Sequence, residues 1–203
     1  MKARPLIVSD CDGVLLHFIA PFIDYLREVH DLTLSLVTPM LTGNIKLADG
    51  STMPAGDFPP LLDGFFADWM HNQHPIAGAA SALEHLAKDC DIVVLTNIAD
   101  HHAQRRTHEL ARLGMPYRVI GNKGGKGEPL KKLLDEFQPS EAIFIDDLPP
   151  NHTSVMAHAP HVHRLHMVAE IEVRHLIPQS PDAHARHDDW PAMLAHIETI
   201  LKG

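Results

Sequence analysis

Two aspartates one residue apart, Asp10-Cys11-Asp12, follow the apolar run Leu6-Ile7-Val8 and precede Gly13. In a strand leaving a sheet, residues i and i+2 point the same way, so both carboxylates are available to one site. One can attack as a nucleophile while the other moves protons, and Gly13 lets the chain turn sharply behind them. A second pair, Asp146-Asp147, closes the run Ala142-Ile143-Phe144-Ile145. Acids from both places facing one crevice repel and raise each other's pKa unless a cation compensates. An oxygen-only cluster of three or four carboxylates suits Mg²⁺, which takes few protein ligands and keeps waters. Thr96-Asn97 ends a third apolar run, Ile92-Val93-Val94-Leu95; a hydroxyl with backbone N–H groups at a helix start can hold phosphate oxygens. Lys126, with Lys123 nearby, stands just before Glu128-Pro129 at a helix start. A cation there opposes the helix dipole, and makes better sense if it neutralises the carboxylates and a bound anion.

Each motif alone has a plain structural reading: a turn, a helix cap, a solvated loop lysine. Their specificity comes from order and from the elements that carry them. The apolar runs, together with Tyr117–Ile120 and a fifth around Val162–Val168, read as strands buried on both faces. Helical patterns separate them at 76–88, 101–113 and 128–137, and a last helix opens near Asp188-Asp189. The alternation implies βαβ units: an α/β fold with a Rossmann-like parallel sheet flanked by helices. Ligands of such sheets bind beyond the carboxyl ends of the strands, where these motifs fall. Residues 17–74 break the alternation. The stripe Phe18, Ile19, Phe22, Ile23, Leu26 and Val29 predicts an amphipathic helix, 44–53 a hairpin turning at Asp49-Gly50, and Pro59-Pro60 the start of a helix carrying Leu61, Leu62, Phe65, Phe66 and Trp69. This segment reads as a small, mainly helical cap over the first strand's carboxyl end. Residues 1–16 and 75–203 form the core, with 178–187 a polar loop.

Taken together, Asp10-Cys11-Asp12-Gly13-Val14, the run closed by Thr96, Lys126 before Glu128-Pro129, and Ile143-Phe144-Ile145-Asp146-Asp147 resemble the haloacid dehalogenase superfamily in its Mg²⁺-dependent phosphatase branch. The resemblance covers residues 1–16 and about 75–168, and puts 17–74 where that family carries a C1 cap. It implies that Asp10 attacks phosphorus to give an aspartyl-phosphate and that Asp12 protonates the leaving alcohol, then deprotonates water. It also implies Mg²⁺ on Asp10, the Asp12 backbone carbonyl and Asp147, with Asp146 a ligand or a supporting partner, and a phosphoryl group held by Thr96, Asn97 and Lys126. Asn151 stands where many relatives have an acid, which lowers the charge of the metal site by one. Dehalogenase members typically lack an acid at the place of Asp12. The expected activity is therefore hydrolysis of a small phosphorylated metabolite; a phosphomutase or phosphotransferase of the same superfamily is the alternative, and a histidine-rich metal-binding or interaction protein a third reading. His17 and Phe18, at the passage from core to cap, are candidate substrate contacts.

Composition bounds the rest. The 203 residues carry 17 Lys+Arg against 26 Asp+Glu, a net −9 that argues against a nucleic-acid partner. No apolar run approaches the ~18–20 residues that span a bilayer, so no membrane partner is expected, and the N-terminus does not read as a signal peptide. Only Cys11 and Cys90 are present, which points to a reducing cytoplasm and makes a disulfide scaffold improbable. Oligomeric state is left open. Seventeen histidines would carry the charge to +8 if all were protonated. His101-His102 read as a polar pair opening a helix, His161, His163 and His166 as a surface cluster rather than zinc ligands, and the histidines in general as peripheral to the chemistry.

Overall fold

The computed structural model describes residues 3–203. The chain runs β1 (Leu6–Ser9), α1 (Ile19–His30), β2 (Thr33–Leu34), β3 (Ile45–Lys46), α2 (Phe58–Gly64), α3 (Ala79–Leu86), β4 (Asp91–Thr96), α4 (Asp100–Arg112), β5 (Arg118–Gly121), α5 (Gly127–Phe137), β6 (Ala142–Asp146), α6 (Pro149–His158), β7 (His163–Met167), β8 (Ala185–His187) and α7 (Trp190–Lys202). Six strands form one parallel sheet in the order β5-β4-β1-β6-β7-β8. The three central strands β1, β4 and β6 are largely apolar because both faces are covered. Ile7, Val94, Ile143 and Ile145 pack under α3 and α7, while Leu6, Val8, Val93 and Phe144 pack under α5 and α6. Period-two alternation thus sorts one continuous apolar run onto two layers.

The chain leaves β1 toward β4 and β5, then returns to the other side of β1 with β6 and moves outward. The carboxyl ends of β1 and β6 therefore flank the point where the winding reverses, which leaves an open crevice there. Above it, α1, the β2-β3 ribbon and α2, with its π-helical continuation Phe65–Trp69, share a cluster around Phe22, Tyr25, Leu26, Ile45, Phe65 and Phe66. No helix among the described residues is long and apolar enough to cross a membrane.

Three expectations need correction. The segment 178–187 is not all loop: Ala185–His187 adds strand β8 at the sheet edge, where an edge position needs no apolar run. The predicted hairpin shrinks to a single Lys46–Thr52 bridge beyond the Asp49-Gly50 turn, and β3 pairs instead with β2; Pro54, with no N–H to give, stops the return arm. Val29 is 51% exposed, because α1 buries Ile19, Phe22, Tyr25 and Leu26 and ends at Asp31 in the left-handed conformation. Cys11, between the two acids, is buried in the layer under α3 and α7.

Candidate active site

Parallel pairing of Ser9 with Ile145, continued by the Asp10 N–H bonded to Ile145 O at 2.8 Å, brings Asp10 beside Asp146-Asp147. Lys126 reaches the same place from α5, for which it is the N-cap residue. The backbone at Gly127 presses against α6: a Cβ there would lie 2.2 Å from Ser154 O, and the Gly127 N–H donates to Ser154 Oγ at 2.9 Å. So held, Lys126 is fully buried, with its ammonium 2.8 Å from Asp10 Oδ1 and 2.7 Å from Asp146 Oδ2. Two carboxylates offset the unfavourable helix dipole. Burial opposes the lysine's charge, but Asp10 and Asp146 outweigh it and hold its pKa above the ordinary value. Lys123 stays in the exposed loop.

The four acids divide by what satisfies them. Asp146 is saturated: Lys126 donates to Oδ2, while the Leu148 N–H and Asn151 Nδ2, each at 2.9 Å, donate to Oδ1. Asn151 supplies an N–H that a carboxylate in its place could not. Asp10 takes both Lys126 and the Cys11 N–H, at 2.6 Å, on Oδ1, which keeps Oδ2 free for chemistry. Asp12 is gripped by Arg106, whose guanidinium spans both oxygens at 2.9 and 3.1 Å, and by Gln73 Nε2 at 2.7 Å. Arg106 is itself buried, donates to Gln73 Oε1 at 2.8 Å and lies 5.6 Å from the Phe66 ring centroid. Asp147 is the exception: its Oδ1 is buried and has no hydrogen-bond partner among the described residues.

The backbone of the Asp146-Asp147 pair is fixed from behind by histidines. His152 Nε2 donates to Asp146 O at 3.0 Å and His166 Nε2 to Asp147 O at 2.8 Å, with the two rings edge to face at 5.2 Å. The Ser180 N–H donates to His166 Nδ1, which sets that ring's tautomer. The reading of His166 as a surface residue, and of the histidines as peripheral, therefore fails. His166 and His152 are both fully buried, and burial pushes His152 down to about 4. His161 is exposed.

Burial pushes Asp10 up to about 7, against the pull of Lys126 and reinforced by Asp146 and Asp12. Burial, then Asp146 and Asp10, raise Asp147 well above the usual carboxylate range. Four carboxylates share two cations, Lys126 and Arg106, which leaves a negative excess centred on Asp10 and Asp147. One oxygen from each of Asp10, Asp146 and Asp147 lies within 4.8 Å of the others. Gly13, at φ +79°, completes the cradle: a Cβ there would stand 2.8 Å from Asp147 Oδ2. An orphaned carboxylate oxygen, an oxygen-only donor set and uncompensated buried charge fit a hard divalent cation such as Mg²⁺.

A cavity of about 260 Å³ opens above this floor, lined at its base by Asp10, Asp12, Thr96, Asn97 and Asp147. Asn97 is tied to the loop after β5, donating to Gly124 O at 3.1 Å and accepting from Asn122 at 2.7 Å. Lys126 and Asp146 lie beneath the floor, outside the lining. Phe18 forms part of the wall, whereas His17 is engaged with Glu170, Nδ1 to Oε2 at 3.1 Å. Glu170 also accepts the Phe18 and Ile19 N–H groups and so caps α1. His101 and His102 converge on Asp63 of α2 at 3.2 and 2.8 Å, joining α4 to the helix above.

Arg106, Gln73, Glu170, His152 and His166 escaped the sequence reading. Arg106 left one trace: with His102 and Leu110 it lies at four-residue spacing on the buried face of α4, a charged residue where an apolar one belongs.

No protein-family model matches the sequence, and no curated protein matches it. Solved structures do. YfnB of Bacillus subtilis, a HAD-type protein solved bound to magnesium, superposes with a TM-score of 0.64 at 13% identity over 98% of this chain and all of its own. A phosphoserine phosphatase solved as a phospho-aspartyl intermediate analogue gives 0.57 at 14%, covering 97% of this chain and 99% of that one. A defluorinating L-2-haloacid dehalogenase gives 0.59 at 12%, covering 98% and 99%. Identities this low carry the fold, which is the haloacid dehalogenase-like α/β fold expected from the motifs.

Proposed function

We propose that the protein is a Mg²⁺-dependent phosphomonoester hydrolase that works through an aspartyl-phosphate on Asp10. The observation that carries this reading is the division of labour among the acids. Asp10 has one oxygen pinned and one free, Asp12 stands beside it as a positioned proton carrier, and Asp147 keeps an orphaned oxygen for a cation. Asp10 Oδ2 attacks phosphorus, the bond from phosphorus to the ester oxygen breaks, and Asp12 gives the departing alkoxide its proton. Asp12 then removes a proton from water as that water attacks phosphorus, the bond to Asp10 breaks, and inorganic phosphate leaves. Lys126 holds Asp10 in register throughout and supplies positive charge beneath the transferring group. Thr96 and Asn97, on the floor, are placed to bind its oxygens. Asp10 and Asp147, with the Asp12 carbonyl, would hold Mg²⁺, which when bound offsets the repulsion between an anionic nucleophile and an anionic phosphate. Asp146 acts through Lys126, and residues 17–74 serve as the cap over the crevice.

A dehalogenase shares the fold, but halide departs without a proton and has no need of Asp12. A haloacid also brings a carboxylate, and no Lys, Arg or His among the described residues lines this cavity. Purified protein with Mg²⁺ should release phosphate from p-nitrophenyl phosphate, and Asp10→Asn should reduce the rate at least about 10³-fold. Turnover that survives Asp10→Asn, or halide release from 2-chloropropionate in place of phosphate release, would overturn the assignment.

A further inference from the structure

The cavity is sharply two-sided. Its floor carries Asp10, Asp12 and Asp147, while Phe18, Phe58, Leu62, Phe66, Val173 and Ile177 supply the wall above. The wall comes from three separate places: α1, the α2 segment, and the stretch after β7. The one charged wall residue, Glu170, is already committed, with its oxygens accepting from His17 and from the Phe18 and Ile19 N–H groups. Arg106 is turned under the wall onto Asp12, with its guanidinium beside Phe66. Above the floor there is no cation among the lining residues to receive a carboxylate or a second phosphate, and no row of hydroxyl or amide groups to receive a sugar's hydroxyls.

Resting on the hydrolase reading above, the geometry points to a substrate class: monophosphate esters of an apolar alcohol, alkyl or aryl. A charged or polyhydroxylated leaving group would lose its hydration against this wall with nothing in return. An aliphatic or aromatic one gains with each carbon buried. The volume, about 260 Å³, is below the ~300–1,000 Å³ of sites for drug-sized ligands, so the alcohol is small. The wall thus selects the organic half of the ester, and the floor handles the phosphoryl half common to all of them.

The test is kcat/KM for a series of n-alkyl phosphates from methyl to hexyl, with 2-phosphoglycolate and glucose 6-phosphate as comparators and p-nitrophenyl phosphate as reference. We expect kcat/KM to rise by about fourfold per methylene until the cavity fills, the ratio set by burying one such group, and both comparators to fall at least about 100-fold below hexyl phosphate. Leu62→Lys should lower the hexyl rate and raise the phosphoglycolate rate. Binding of n-alkyl phosphonates, which have no ester bond to break, should tighten in the same order when read by thermal shift. A flat chain-length series, or a preference for phosphoglycolate or the sugar, overturns the apolar assignment while leaving the hydrolase. Absence of turnover on every ester, with phosphonate binding still graded by chain length, overturns the hydrolase reading and keeps the wall as the specificity element. Ungraded phosphonate binding without turnover overturns both.

Discussion

The floor and the wall of the cavity are built on opposite principles. The floor is held by hydrogen bonds and ion pairs between named groups. Lys126 bridges two acids, Arg106 and Gln73 both hold Asp12, and two histidines fix two successive carbonyls. Apart from Glu170, the wall has no such bonds. Its side chains touch by shape alone, as in the Phe18–Phe22 stack at 5.2 Å and the edge-to-face Phe18–Phe65 pair at 5.3 Å. Buried charges tolerate no change in partner, whereas apolar surfaces accept substitutes of similar volume. Under the proposed function, the contrast separates what must stay fixed, the handling of a phosphoryl group, from what can vary, the group it leaves.

Breaking the floor should cost most. Lys126→Met strands Asp10 and Asp146 without their shared cation, and should reduce unfolding free energy by about 3–5 kcal/mol, read by urea denaturation. A loss under about 1 kcal/mol would mean that the acids simply protonate and that the buried triad is not a fixed unit. On the wall, Phe58→Ala removes a ring that is only half-buried and should cost about 1–2 kcal/mol. Its larger signature is a raised KM for hydrophobic esters with kcat little changed; a kcat loss equal to that of a floor variant would erase the distinction between the two regions.

The smallest effect belongs to the seam between them, at His17 and Glu170. The hydrogen bond that His17 donates to Glu170 holds the imidazole above its ordinary 6.5 despite partial burial. The pair's contribution is therefore complete below about pH 6.5, where His17 is charged even in the unfolded chain, and is lost as pH rises through the raised folded value. His17 is 36% exposed, so solvent screens the pair. The melting-temperature advantage of the native chain over His17→Gln should be greatest near pH ~5.5 and shrink toward pH ~8.5. An advantage that stays level across that range, or grows with pH, would show that His17 does not act through charge.

The floor was legible in the sequence because each of its acids ends a strand, and a strand end converts a short motif into a position. The sheet was legible for the same reason, through runs such as Ile92–Leu95 that only a doubly covered strand accommodates. What failed to show was everything whose meaning depends on distant partners. Arg106 matters through Asp12 and Gln73, residues that only the fold brings near. His152 and His166 act through backbone carbonyls, which have no sequence signature, and so looked like compositional excess. Edge strand β8 carries Ala185-Arg186-His187, with no apolar pattern to announce it. The helices of residues 17–74 were readable from periodicity, but the ribbon between them was not, because pairing between β2 and β3 involves two residues on each side.

The pairing of β1 with β6 has a consequence for how the molecule comes into being. Leu6 lies beside Ala142 in the finished sheet, so the central strand waits for most of the chain before its second neighbour exists. During synthesis β1 can pair with β4, and β4 with β5, but Asp10 gains Lys126 only with α5 and Asp146 only with β6. Contacts of such sequence separation form late and slowly. Asp10 thus takes on its buried, lysine-paired setting only when the sheet is nearly whole, and a chain cut short before β6 would be left with an unbalanced acid.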